Sequence, residues 1–276
     1  MKYLVLGPAA MGYFSFLGYL KSIENKLKEV EEISGSSAGA IIALFLAVGL
    51  TIDQIVEFSL SLDVPEFVKL NIGCFFNKFG FVDIDPIRSK LIELCRGNPK
   101  FKDIKKKIYI SAFCLNTSKT HYFSVDTHPY MYIIDAVCMS MSIPFIFTCN
   151  TYQGFTYVDG GTAEMIPFTP FIDKKPCHVH CVMLKDYTTF QEEIKTPMQF
   201  LESLIKGALK NRLDDYNRDI TKIKLDVSQD INIFNFEMSY EDKIRLYIGG
   251  LNNLSDYIYD DTSESGRVKT DRSGKV

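Results

Sequence analysis

What the chain lacks bounds what it can be. Its seven cysteines are odd in number and scattered singly, so no secreted-type disulfide framework is written into it. Reduced thiols in a cytoplasmic, reducing compartment are expected instead. No apolar run reaches the about 20 residues that a bilayer-spanning helix needs. The longest, Ala38 to Leu50, is interrupted by glycine. No leader is expected either, because Met1 passes within one residue into Tyr3-Leu4-Val5-Leu6 with neither a basic region nor a cleavage site. The expected protein is soluble, or at most peripheral to a membrane. A net charge of −3 offers no global attraction to nucleic acid, and no nucleic-acid partner is expected.

What remains is ample material for a core: 276 residues, 46% of them hydrophobic. Lys2 to Leu6 reads as a buried strand, followed by the small-residue loop Gly7-Pro8-Ala9-Ala10-Met11-Gly12. The apolar spacing of Phe16, Leu17, Leu20, Ile23 and Leu27 predicts a helix over Phe14–Leu27. Val30 to Ser34 reads as a second strand and Ala38 to Val48 as an apolar helix. Strand, helix, strand, helix with short links predicts an α/β fold with a central, mostly parallel sheet covered on both faces.

Farther on, strands are expected at 107–115, 120–124, 154–158, 178–184, 222–227 and 231–236. Helices are expected at 133–142, 197–213 and 240–259. Residues 63–85 mix Pro65, Gly73 and Gly80 with five phenylalanines, and fit either a lid over a greasy pocket or an ordinary packed insertion. Through its Phe-rich part, 67–81, this segment is also the candidate for peripheral membrane contact. From about Asp261 the chain is rich in serine, glycine and charge, and a disordered tail over 261–276 is expected after a single domain over 1–260.

Gly35-Ser36-Ser37-Ala38-Gly39 is a Gly-x-Ser-x-Gly sequence between a strand and a helix, the setting of a nucleophile elbow. By chance the pattern arises in roughly one chain of this length in ten. Its glycines permit a tight turn and close packing, and the helix N-terminus favours developing negative charge. Ser37 is the candidate nucleophile. Asp159-Gly160-Gly161 follows a β-like run, and a partly buried carboxylate at that strand end can accept a serine proton directly. The order Ser37, Asp159, His178 or His180 would also satisfy a Ser-His-Asp triad formally. However, Cys177-His178-Val179-His180-Cys181 reads as mid-strand, whereas sites in doubly wound sheets sit at strand ends. Strand alternation separates those histidines from the cysteines, so no metal or other cofactor is expected.

Taken together, Gly7–Gly12, Gly35–Gly39 and Asp159–Gly161 resemble the motifs of the patatin-like phospholipases. Asp135 to Pro144 is similar to that family's helix ending at a proline, and the likeness runs over about residues 1–255. It implies the patatin-like three-layer α/β/α fold and a catalytic Ser37–Asp159 dyad without histidine or metal. The implied chemistry is hydrolysis of phospholipid or related acyl esters through an acyl-enzyme. The family's first loop is usually Gly-Gly-Gly-x-Arg/Lys-Gly, and here Pro8 has no N–H to offer an oxyanion. The oxyanion donors implied are then on Gly7, Ala9, Ala10 or, after the elbow, Ala38, in a loop closed by Gly12. Losing one donor costs about 10²–10³ in rate. The alternatives are a catalytically weak or silent lipid- or partner-binding protein of the same fold, and a triad esterase.

Overall fold

The computed structural model describes residues 1–185, 194, 195, 200, 203, 220–228 and 230–252. Of the expected elements, the helix over 197–213 lies almost wholly, and the tail over 261–276 wholly, outside those residues.

Apolar strands alternating with helices build the frame. β1 (Tyr3–Leu6) leads through a 3-10 turn, Ala10–Gly12, into α1 (Tyr13–Ser22) and α2 (Glu24–Leu27). The single helix expected over Phe14–Leu27 is therefore two, broken at Ile23. β2 (Glu32–Ser36) turns at once into α3 (Ala38–Ala47), which is apolar around most of its circumference because it packs on β1 and β2 and against later elements of the core. α4 (Ile52–Ser61) starts at a capping box, with Thr51 and Gln54 satisfying each other's backbone N–H groups. The glycine- and phenylalanine-rich segment is ordered as α5 (Ile72–Lys78) and β3 (Gly80–Val82), followed by α6 (Asp85–Leu94).

β4 (Lys107–Cys114), β5 (Lys119–Phe123) and α7 (Ile133–Met141) come next, then β6 (Phe145–Phe147), β7 (Asn150–Tyr152) and β8 (Phe155–Asp159). β9 (Val179–Leu184), β10 (Thr221–Leu225) and α8 (Tyr240–Asn252) complete the described elements. The central sheet runs β10-β9-β1-β2-β4-β8-β7, with β5 also paired to β4; the first five strands are parallel and the others antiparallel. β3 and β6 form a small parallel pair of their own.

Period-two alternation sends Leu4 and Leu6 into the larger core, with Phe16, Leu17, Ile42 and Val137. Val5, between them, joins a smaller cluster with Phe168, Phe171 and Cys181. α1 and α8 approach backbone to backbone: a Cβ on Gly18 would stand 1.9 Å from the Tyr247 carbonyl oxygen. The strand expected over Ile231–Phe236 is absent. The side-chain oxygens of Asn232 and Asn235 accept from the N–H groups of Phe234 and Glu237, and these local turns displace a ladder despite the apolar alternation. No helix among the described residues is long and apolar enough to cross a membrane. All seven cysteines are free thiols.

Candidate active site

The turn from β2 into α3 is forced by close packing. A Cβ on Gly39 would stand 2.4 Å from the Leu6 carbonyl oxygen, and one on Gly35 would stand 2.6 Å from the Gly39 carbonyl oxygen. Only glycine lets the ends of β1 and β2 and the start of α3 nest this tightly. Between them Ser37 is held at φ 54, ψ −122, a conformation that costs an L-residue about 1–3 kcal/mol. Its N–H donates to the Ser140 hydroxyl on α7 at 2.8 Å, which holds the strained turn in place.

Asp159 ends β8. Across β4 it is level with Ala112, while Ser36 is level with Ser111, so adjacent rungs of one strand bring the elbow and the aspartate together. The Asp159 N–H donates to the Ser142 carbonyl at 2.9 Å. Its carboxylate accepts the Gly161 N–H at 2.7 Å and faces the Ser37 hydroxyl. Both Ser37 and Asp159 are buried, each 5% exposed. Burial lifts the carboxyl to about 7, outweighing the Ser37 hydroxyl and the Gly161 N–H, which pull it down. A carboxylate so placed is half ionised near neutrality and faces a serine hydroxyl, the arrangement from which proton abstraction starts.

The Gly7–Gly12 loop divides its N–H groups. Gly7 donates to the Val182 carbonyl at 3.0 Å, Met11 to Ile233 at 2.9 Å and Gly12 to Ala9 at 2.8 Å. Gly7, expected among the oxyanion donors, is thus committed to the sheet, and the Gly12 N–H to its own turn. Four N–H groups of this loop and of the elbow have no acceptor among the described residues: those of Ala9 and Ala10, and those of Ala38 and Gly39 at the α3 N-terminus. Ala10 takes a positive φ of 44. The Pro8 ring lies against Gly161, where a Cβ would meet it at 2.8 Å, and a Cβ on Gly160 would stand 2.5 Å from the Ser111 carbonyl oxygen. Pro8, Gly160 and Gly161 therefore pack the two loops together around Asp159.

Ser37, Ala10 and Ala38 border a cavity of about 170 Å³ whose walls are almost entirely apolar, among them Phe14, Ile41, Phe45 and Phe147. Val64, Phe67 and Val68 supply another wall, so the segment that fits either a lid or an insertion encloses this space. Two polar groups there, the Tyr13 and Ser59 hydroxyls, satisfy each other at 3.0 Å.

The histidines stand elsewhere. His180 is level with Leu4, two residues back from Leu6, which is level with Gly35 at the elbow. It is hydrogen-bonded to the Tyr19 hydroxyl at 2.6 Å, and burial holds it down to about 4. His178, placed mid-strand by the sequence pattern, closes a 3-10 turn before β9, where its carbonyl accepts the Lys2 N–H at 3.0 Å. His121 is hydrogen-bonded to the Tyr157 hydroxyl at 3.1 Å. Among the described residues neither Ser37 nor Asp159 is hydrogen-bonded to a histidine. No three histidine, cysteine or acidic side chains cluster there as a metal site would require. Ser140 and Ser142 are the site residues that sequence reasoning missed. They lie in the helix–proline segment, and nothing in their spacing signals partners more than fifteen residues away.

The fold agrees with the comparisons. The sequence profile described as "Patatin-like phospholipase" matches residues 4–172. "Uncharacterized protein R571" of Acanthamoeba polyphaga mimivirus is 27% identical over 278 residues, covering 94% of each chain. "Probable lipid hydrolase 463L" of Invertebrate iridescent virus 6 is 29% identical over 178 residues, 60% of this chain and 61% of that one. Among solved structures, VipD from Legionella pneumophila shares the fold with a TM-score of 0.60 and 17% identity, over 91% of this chain and 65% of that one. The type III effector protein ExoU of Pseudomonas aeruginosa does so with a TM-score of 0.53 and 17% identity, over 90% of this chain and 51% of that one. With the profile matching more than half its length, the chain belongs to the patatin-like phospholipase family.

Proposed function

We propose that this protein is a lipid acyl hydrolase that releases fatty acid from phospholipids or related acyl esters. The observation that carries the proposal is the buried Ser37 hydroxyl, facing a carboxylate held near 7 and opening on an apolar cavity. In this reading the Ser37 oxygen attacks the ester carbonyl as Asp159 takes its proton. The tetrahedral oxyanion meets the unpaired N–H groups of Ala9, Ala10 and Ala38 at the positive end of α3. Asp159 returns the proton to the departing alcohol, which leaves an acyl ester on Ser37. Water then attacks that ester with Asp159 again as base, releasing the fatty acid and restoring the hydroxyl. The cavity takes the acyl chain, and no step needs a metal. The seven free thiols fit work in a reducing compartment.

The loop at Pro8 and the committed Gly7 N–H favour a second reading, a lipid-binding protein that keeps the fold without turnover. Fatty-acid release from phosphatidylcholine vesicles separates the two. Hydrolysis is expected from the wild type and from His180→Ala, and none from Ser37→Ala. If wild type and Ser37→Ala release fatty acid equally, the proposal fails; if His180→Ala is as damaged as Ser37→Ala, a triad replaces the dyad.

A further inference from the structure

α5 is amphipathic the wrong way round. Its inner side, Cys74 and Phe75, is half-buried, and Phe75 stacks on Phe81 at 4.6 Å. Ile72, Phe76 and Phe79, spaced to share one helix face, instead stand in solvent at 70%, 75% and 61% exposure. Leu70 extends the patch at 72% and Phe145 at 44%. Scattered exposed apolar residues need no explanation, but contiguous ones on a single face do.

Backbone strain marks the same place. Phe79 caps α5 at φ 59, where glycine is usual, and Phe145 sits at φ 65. Bulky residues are genuine outliers in this region. The two are neighbours, since Phe145 pairs with Gly80 in the β3–β6 ladder. Both rings are exposed, so burial of the ring does not explain either conformation.

The patch also continues the wall of the acyl cavity. Phe67 lines the cavity and also an outer hollow edged by Leu70 and Ile72. On the other side Met141 and Ile143 line the cavity four and two residues before Phe145. Charge around the patch gives no cationic field: Lys69 and Lys78 stand against Glu66, Asp83 and Asp85, and Lys78 is already paired with both aspartates at 3.3 Å.

We infer that the face formed by Leu70, Ile72, Phe76, Phe79 and Phe145 docks the protein on a zwitterionic lipid surface, by apolar insertion rather than by charge. With seven residues α5 is too short to span a bilayer and lies in the interface instead. The inference rests on the lipid-hydrolase reading, for it names where the acyl chain is drawn from. A chain leaving the bilayer here follows apolar side chains into the cavity.

Co-flotation of the full chain with phosphatidylcholine vesicles tests it, alongside hydrolysis of a water-soluble short-chain nitrophenyl ester. Wild type is expected to float at low and high salt, with no gain when phosphatidylserine is added. Ile72→Ser/Phe76→Ser is expected to lose about a hundredfold in vesicle partitioning, tenfold for each side chain, while its rate on the soluble ester is unchanged. Three results would overturn the inference: a variant that floats like wild type, binding that needs anionic lipid and low salt, or a wild type that stays off vesicles but dimerises through a face the variant loses. Flotation as expected with no hydrolysis of either substrate would refute the hydrolase reading and leave the docking surface standing.

Discussion

Replacing Asp159 by asparagine should abolish turnover and at the same time stabilise the fold above neutral pH. The carboxyl is buried, and its burial raises it from an ordinary value of 3.8 to about 7. A group that binds its proton more tightly folded than unfolded makes the folded state lose stability as pH rises from the unfolded value through the folded one. At about 1.36 kcal/mol per pH unit, the gap between 3.8 and about 7 amounts to an upper bound of about 4 kcal/mol. That stability is fully present below pH 3.8 and lost by about pH 8. Asparagine keeps the shape and an oxygen for the Gly161 N–H, and its amide can donate to the Ser37 hydroxyl, so the penalty disappears with the charge. For a chain of this size about 2 °C of melting temperature accompanies each kcal/mol, so Asp159→Asn should melt about 5 °C or more above wild type at pH 8. The difference should shrink steadily as the pH is lowered toward 4. Thermal unfolding of both proteins across pH 4–8, with fatty-acid release measured in parallel, is the assay. An Asp159→Asn protein no more stable than wild type at pH 8, with a difference that ignores pH, would refute the reasoning that Asp159 is strained by its own charge.

In the proposed mechanism the same carboxyl sets the pH profile of the reaction: turnover should be half-maximal near pH 7, fall to about a tenth by pH 6 and level off above pH 8, as rates on a pH-insensitive soluble ester will reveal. Ser140→Ala removes the acceptor of the Ser37 N–H and should cost about 1–3 kcal/mol in chemical denaturation, with kcat down about tenfold and KM little changed. Gly39→Ala drives a methyl group into the Leu6 carbonyl and should lose more than about 4 kcal/mol, seen as failure to accumulate soluble protein at 37 °C.

Much of this was legible in the sequence because it depends on local chemistry. Strands of continuous apolar character, such as Tyr3–Leu6, announce burial on both faces. Glycines at 35 and 39 announce a turn that tolerates no side chain. Asp159 was legible from the two glycines that follow it at a strand end. What escaped depends on distance along the chain. Ser140 looks like any helical serine, and its meaning comes from a backbone N–H 103 residues away. Whether Gly7 is a free donor is decided by the Val182 carbonyl on a strand 175 residues on, so no reading of the loop could exclude it. Ile231–Phe236 carried the alternation of a strand, but Asn232 and Asn235 capture neighbouring N–H groups and win locally. The phenylalanines of 67–81 were conspicuous, yet composition could not divide those that wall the cavity from those that face solvent. That division needed the helix, with Phe75 inward and Phe76 outward.

The central claim is that Ser37 is the nucleophile, and a fluorophosphonate probe tests it most directly. The probe captures an activated serine whatever lipid the protein prefers, and mass spectrometry of the digested adduct names the residue. Wild type and His180→Ala should each carry one adduct on the peptide containing Ser37, and Ser37→Ala none. An adduct on another serine, or equal labelling of Ser37→Ala, would contradict the account.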